Sequence, residues 1–213
     1  MQLLHRKEIT QALSLGMDSG LFIDPLLDDG QIGTASVDLR LGYDFLVSIM
    51  TRRPSVDLLP CGQGQRGIAS YFQETRRDIG DKFVLYPNQV VLTTTLEYLG
   101  IPDDIWVDIS TRSSFNRLGV HVSNSLQPGY VGCASLELFN QGQTPIELVV
   151  GARLVQARFY RLDQEHAYHH EHSGARKYVA NVRPEVSRAL EDKELGRLHD
   201  ISVRHNNTGR DVT

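Results

Sequence analysis

The sequence predicts a mainly β protein, a sandwich or barrel opened by one N-terminal helix and holding few other, short helices. Two observations carry this. From residue 35 onward, short apolar segments of strand length recur, each bounded by Gly, Pro or Asn turns. Only residues 5–17 show helical spacing. The segments follow one another too closely for the crossover helices of βαβ units.

In HRKEITQALSLGM, Ile9, Ala12, Leu13 and Met17 share one helical face, and Asp18, Ser19 and Gly20 end the helix. ASVDLRLG alternates Val37, Leu39 and Leu41 against Asp38 and Arg40, a half-buried strand closed by Gly42. YDFLVSIM follows. Residues 52–80 are polar around CGQGQRG and form a surface excursion. FVLYPNQVVLTTTLEYL is two strands about a turn at Pro87 and Asn88. IWVDIS, SLELFN, IELVV and LVQARFYRL complete the set. Residues 163–185 have few apolar side chains, and residues 194–213 lack sustained periodicity, the pattern of a flexible tail. No repeat or linker breaks residues 1–193, so they are expected to form a single domain.

Composition excludes several classes. Hydrophobic residues are 40% and charged residues 23% of the 213, an ordinary globular balance. No apolar run approaches the roughly 18 residues of a membrane span. The first residues lack the apolar core of a signal peptide, so a cytoplasmic protein without a membrane partner is expected. The net charge of −4 disfavours a broad nucleic-acid surface. Cys61 and Cys133 lie far apart with no CxxC, against a disulfide framework or a Cys-based zinc site.

Three clusters carry chemistry. In STRSSFNRLGV, Arg112, Ser113, Ser114 and Arg117 fall between an apolar strand and Gly119. Serine hydroxyls, free backbone N–H groups and two guanidinium groups make an anion cradle; the alternative is a capped helix with two solvated arginines. In QPGYVGCASLELFN, alternation places Glu137 on the face opposite Leu136 and Leu138. That face is either solvated or lines a cavity where burial would raise the carboxyl pKa for general acid/base work. The tract HAYHHEH, His166 to His172, is a solvated loop or a metal-binding run. The zinc deaminase signature and both glycine-rich nucleotide motifs are absent.

In sequence order these blocks resemble the dCTP deaminase family of the dUTPase superfamily. ASVDLRLG is similar to the family's a-x-x-D-x-R-L-G. FVLYPNQVVLTTTLEYLGIPDDI resembles L-x-P-G-x-x-x-L-x-x-T-x-E-x-x-x-x-P. TRSSFNRLG resembles G-R-S-S-x-x-R-L-G, and PGYVGCASLELFN resembles P-G-x-x-G-x-x-x-L-E. KYVANVRPEVSR is similar to a C-terminal lid, K-Y-x-x-Q-x-G-x-x-x-S-R. The resemblance covers residues 1–188. It implies a distorted dUTPase-like β-barrel, a homotrimer with sites shared between subunits, and a deoxynucleoside triphosphate substrate accompanied by Mg2+, without zinc. It makes Glu137 the catalytic carboxylate, with Arg117 and Ser113 beside it. Arg112, Ser113, Ser114, Arg117, Gln127, Ser135 and Leu136 become substrate contacts. Residues 163–193 become a lid supplying Lys177, Asn181 and an aromatic or polar contact at Tyr168 or His170.

Two departures stand out. Gln127 occupies the place of an aspartate that meets the deoxyribose 3′-hydroxyl. Residues 120–127 also form a shorter loop than the family's. The leading expectation is deamination of a cytosine deoxynucleotide, dCTP to dUTP plus ammonia. The alternatives are a dUTPase or bifunctional enzyme, and a non-catalytic nucleotide sensor.

Overall fold

The computed structural model describes residues 1–16, 20–50, 55–56, 58, 67–164 and 180–208. The described chain is mainly β. One sheet runs in the order β1 (Gln2–Leu3), β13 (Arg153–Arg161), β8 (Ile105–Thr111), β10 (Ser123–Leu126), with β3 (Val37–Arg40) also paired to β13. The second runs β5 (Phe72–Arg76), β4 (Asp44–Ser48), β7 (Val90–Gly100), β11 (Val131–Asn140), β9 (Val120–His121), and β2 (Phe22–Asp24) pairs with β7. A separate two-stranded antiparallel sheet pairs β12 (Ile146–Val149) with β6 (Lys82–Leu85). The central pairs β7 with β11 and β8 with β13 are antiparallel.

The expected helix is α1 (Arg6–Ser14). Glu8 accepts the His5 backbone N–H at 3.0 Å, which satisfies one of the unpaired donors at a helix start. Ile9 and Ala12 are its buried face. All the expected strands form. Residues 120–127, read as a loop, instead form β9 and β10; their short, serine-rich stretches lack the apolar runs by which a strand is recognised.

The contacts divide the chain into two compact units. Residues 1–48 and 74–185 form the first unit and hold both sheets apart from the first two residues of β5. Residues 49–73 and 186–213 form the second unit, two segments distant in sequence that a linear reading has no means of joining. This unit contains α3 (Lys193–Thr208), so the tail expected to be flexible is helical as far as Thr208. Leu195 and Leu198 are three residues apart with Glu194 in the first turn, a short helical signal that the polar residues following it obscure.

In the first unit the inner faces of the strands form one apolar core. Phe45 and Phe83 stack at 4.1 Å between centroids. β3 is buried more fully than alternation implies. Asp38, expected on a wet face, is nearly enclosed because side chains of β13 and of the segment after β8 cover it.

At the end of β11 the fully buried Asn140 closes the core with a polar plug. Its amide donates to the Leu85 carbonyl at 3.0 Å and the Thr144 carbonyl at 2.9 Å, and its oxygen accepts from Gly142 N–H at 2.9 Å. Asn140→Ala therefore strands three backbone groups. It should lower the unfolding free energy by about 3 kcal/mol, since one buried polar group left unpaired costs about 1–3 kcal/mol. Urea denaturation with an unchanged midpoint would contradict this.

Candidate active site

Glu137 lies on β11 opposite Leu92 of β7. Leu136 and Leu138 are fully buried and Glu137 faces outward. A register shift between Cys133 and Ser135 sets this phase. At the bulge Ala134 N–H donates to Thr95 Oγ1 (2.9 Å), whose hydroxyl donates to the Glu97 carbonyl (2.8 Å). Bulges re-aim the side chains that follow them, and here the residues that follow are Ser135, Leu136 and Glu137. Although Glu137 is open to solvent in the single chain, protein packed around its carboxyl raises the pKa above the ordinary range, the neutral form being favoured by desolvation.

Arg112 ends the extended run of β8 and precedes the single-turn helix α2 (Ser113–Asn116). Ser113, Ser114 and Arg117 are exposed. A helix of one turn carries little dipole, so the charge of any anion site here rests on the arginines. The Arg112 guanidinium is partly committed inward. Its Nε lies 3.1 Å from Asp38 Oδ2, and its Nη1 donates to the Arg153 carbonyl at 3.0 Å. The turn leaves α2 through Gly119 at φ 98°, where a Cβ would stand 2.7 Å from the Gly142 nitrogen. β9 then pairs with β11, His121 opposite Phe139 and Val120 opposite Asn140. The segment carrying Arg117 thus leads straight into the strand beside the one carrying Glu137.

The other expected contacts are distributed unevenly. Ser135 is half-buried, and its carbonyl accepts from Asn124 Nδ2 at 2.7 Å. Leu136 is core, leaving only its backbone for a ligand. Gln127 is exposed, and its carbonyl accepts from Tyr130 N–H. Asn181 sits at β11 through its carbonyl, which accepts from Cys133 N–H at 2.8 Å. Tyr168, His170, Lys177, the rest of the tract from His166 to His172, and Cys61 lie outside the described residues.

The sequence profile described as dCTP deaminase-like matches residues 3–162. The chain belongs to this family. The dUMP-forming dCTP deaminase of Methanobrevibacter smithii is 36% identical over 200 residues, covering 92% of this chain and 99% of its own. The dCTP deaminase of Haloarcula marismortui is 37% identical over 180 residues, 83% of this chain and 90% of its own. The crystal structure of 2′-deoxycytidine 5′-triphosphate deaminase from Agrobacterium tumefaciens superposes with a TM-score of 0.56 at 25% identity, over 74% of this chain. This chain spans 47% of that protein's length.

Behind the site of this dCTP deaminase-like chain lies a polar network that periodicity had hidden. Asp38 gathers Arg112, Arg153 (3.9 Å) and the Gln156 amide (3.2 Å). Gln31 Nε2 donates to the Asp38 carbonyl and to Glu97 Oε1, each at 3.0 Å. The Arg40 N–H donates to Glu97 Oε2 at 2.8 Å, while its Nε donates to Gln31 Oε1 at 3.1 Å. The available signal was polar residues, Asp38, Arg40 and Glu97, inside otherwise apolar strands; a period-2 pattern assigns such residues to solvent.

Glu97 is fully enclosed, and burial pushes its pKa from 4.5 up to about 7, opposed by the Arg40 N–H, its own backbone, the Gln31 amide and the Arg40 charge. A carboxyl that holds its proton more tightly when folded contributes stability that is fully present below the unfolded value. That stability is lost as pH rises from about 4.5 to about 7. The loss expected across that window is on the order of 3 kcal/mol. In Glu97→Gln this share of the pH dependence should vanish. Thermal melts of both proteins from pH 4.5 to 8 check it, and identical slopes would refute the assignment.

Proposed function

We propose that the protein is a hydrolytic deaminase of dCTP, converting dCTP and water to dUTP and ammonia. The observation that carries this is Glu137: a carboxyl with a raised pKa, aimed outward from a bulged strand beside the segment bearing Ser113 and Arg117. Membership of the dCTP deaminase-like family and the names of its relatives support it.

Glu137 takes a proton from the water that attacks C4 of cytosine. That proton goes to N3, where it stays in the uracil product. Glu137 then takes the proton of the new C4 hydroxyl and passes it to the amine, which leaves as ammonia as the C4–N bond breaks and the C4=O bond forms. A pKa above the usual carboxylate range favours a group that must both accept and return a proton. Ser113 and Arg117 orient the base and the water. Arg112 holds phosphate with the donors that Asp38 and the Arg153 carbonyl leave free, helped by Ser114 and, from the lid, by Lys177 and Asn181. Magnesium is proposed to arrive with the triphosphate as part of the substrate. The location proposed is the cytoplasm.

Exposure argues for assembly. Glu137, Ser113, Ser114 and Arg117 all face solvent in the single chain, whereas electrostatic catalysis works best where water is excluded. A homotrimer in which a neighbouring copy covers this face supplies that exclusion. Light scattering should show a trimer at micromolar concentration, and a fully active monomer would reject it.

A second reading is favoured by the dUMP-forming relative from Methanobrevibacter smithii, whose name implies that the triphosphate is also cleaved. Gln127 opposes it here, because an amide cannot take a proton from water for attack on phosphorus. The expected products are dUTP and ammonia with little dUMP. Abundant dUMP from dCTP would establish the bifunctional reading instead, and binding without turnover would establish a sensor.

Glu137→Gln should keep the fold and nucleotide binding while slowing ammonia release by about 10²–10⁴-fold. Retention of the parent rate would remove Glu137 from the mechanism. Activity is also expected to survive exhaustive treatment with a zinc chelator when magnesium is replenished; loss of activity reversed by zinc would overturn the metal-free chemistry.

A further inference from the structure

Residues 180–185 form a short strap at the start of β11. Ala180 N–H donates to the Val131 carbonyl at 2.7 Å and Cys133 N–H donates to the Asn181 carbonyl at 2.8 Å. The strap lies so close to Gly132 that a Cβ there would stand 2.9 Å from the Asn181 oxygen and 3.1 Å from its nitrogen. Gly132 also has φ 133°, a conformation side chains resist. Two backbone hydrogen bonds at the end of a strand are a weak hold on a segment this short.

A charge pair supplements them. Asp44, at the start of β4, is 5% exposed. Its Oδ1 lies 3.7 Å from Arg76 Nη1, and Arg76 also covers the Tyr43 ring at 4.4 Å. Its Oδ2 is buried with no hydrogen-bond partner among the described residues, and Arg183 Nε of the strap lies 3.5 Å from it. An enclosed carboxylate strongly favours keeping an opposite charge beside it. The lid pattern given above carries Gly where this chain has Arg183, so the pair is a feature of this chain rather than of the pattern.

We infer that Arg183 is a positioning residue: paired to Asp44, it clasps the strap to the body and thereby fixes where Asn181 meets the nucleotide. The Asn181 amide nitrogen is itself buried without a hydrogen-bond partner among the described residues, a donor left available to a ligand. This inference rests on the deaminase reading, in which Asn181 and the lid contact the triphosphate. Arg183 acts through the backbone of the strap and touches no reacting atom.

The test uses the full chain carrying Arg183→Gln, Arg183→Lys, Asp44→Asn, and Arg183→Gln with Asp44→Asn together. The Arg183 side chain is largely exposed, so its replacements are expected to fold; a thermal melt checks each variant. Deamination of dCTP with magnesium and hydrogen exchange at the Ala180 and Cys133 amides are measured for all. Arg183→Gln should raise KM for dCTP about tenfold with little change in kcat, the signature of lost binding rather than lost chemistry. It should also speed exchange at both amides. Arg183→Lys should recover most of the affinity. The double variant should be no worse than the worse single one, because both remove the same contact. Unchanged exchange in Arg183→Gln overturns the clasp. Faster exchange with an unchanged KM overturns its bearing on the nucleotide, and strictly additive effects overturn the pairing. If the parent itself does not deaminate dCTP, it is the deaminase reading that fails, and the exchange arm still decides whether the clasp exists.

Discussion

A carboxylate taken out of water must be met by opposite charge or by hydrogen-bond donors. The β framework meets that demand three times, and each time it fixes a segment that matters. Asp38, enclosed beside β13, draws Arg112 inward and so anchors the start of the Arg-Ser-Ser turn. Glu97 holds Gln31 and the backbone of Arg40, tying the chain before β3 to β7. Asp44 reaches Arg183 of the strap. Such charges add little to net stability compared with apolar replacements. Their value lies in specifying which chain segment stands where.

β11 links these anchors to the chemistry. Its first residues receive the strap, with Gly132 leaving room for it. Its bulge, held by Thr95, sets the phase in which Leu136 and Leu138 fill the core and Glu137 faces outward. Its last residue, Asn140, pairs with Val120 where the chain passes from α2 into β9, and the next residue, Gln141, donates its N–H to the Gly119 carbonyl at 2.8 Å. Pairing with β7 along most of its length makes the strand stiff. The proposed acid/base and the proposed phosphate contacts are thus referred to one element, as a site that must hold a base and a triphosphate in fixed relation requires.

The roles proposed for Glu137 and Gln127 point to the same reaction. Desolvation raises the Glu137 pKa and suits proton shuttling at a cytosine ring. Gln127, exposed beside the buried Pro128 and Gly129, lacks the charge to activate water against phosphorus. Relatives of similar identity carry names with and without dUMP formation, so overall similarity does not separate the two outcomes.

Much of this was legible in the sequence. Apolar spacing located the elements, helical for α1 and in strand-length segments between turns for β3, β4, β6 to β8 and β11 to β13, because the core demands a buried face from each. Alternation set Glu137 against its leucine neighbours. The motif blocks identified the family and with it the expected acid/base. Other features required the tertiary structure. β9 and β10 are strands because β11 and β8 offer them partners, not because their residues favour strands. Asp38 was placed on the face opposite the apolar residues of β3, and nothing local marks Glu97 as buried, yet long-range partners enclose both. The pairs of Asp38 with Arg112 and of Asp44 with Arg183 join residues far apart along the chain, and no local pattern encodes them. A sequence states which side chains prefer to be buried; only the folded chain determines which charges are buried together.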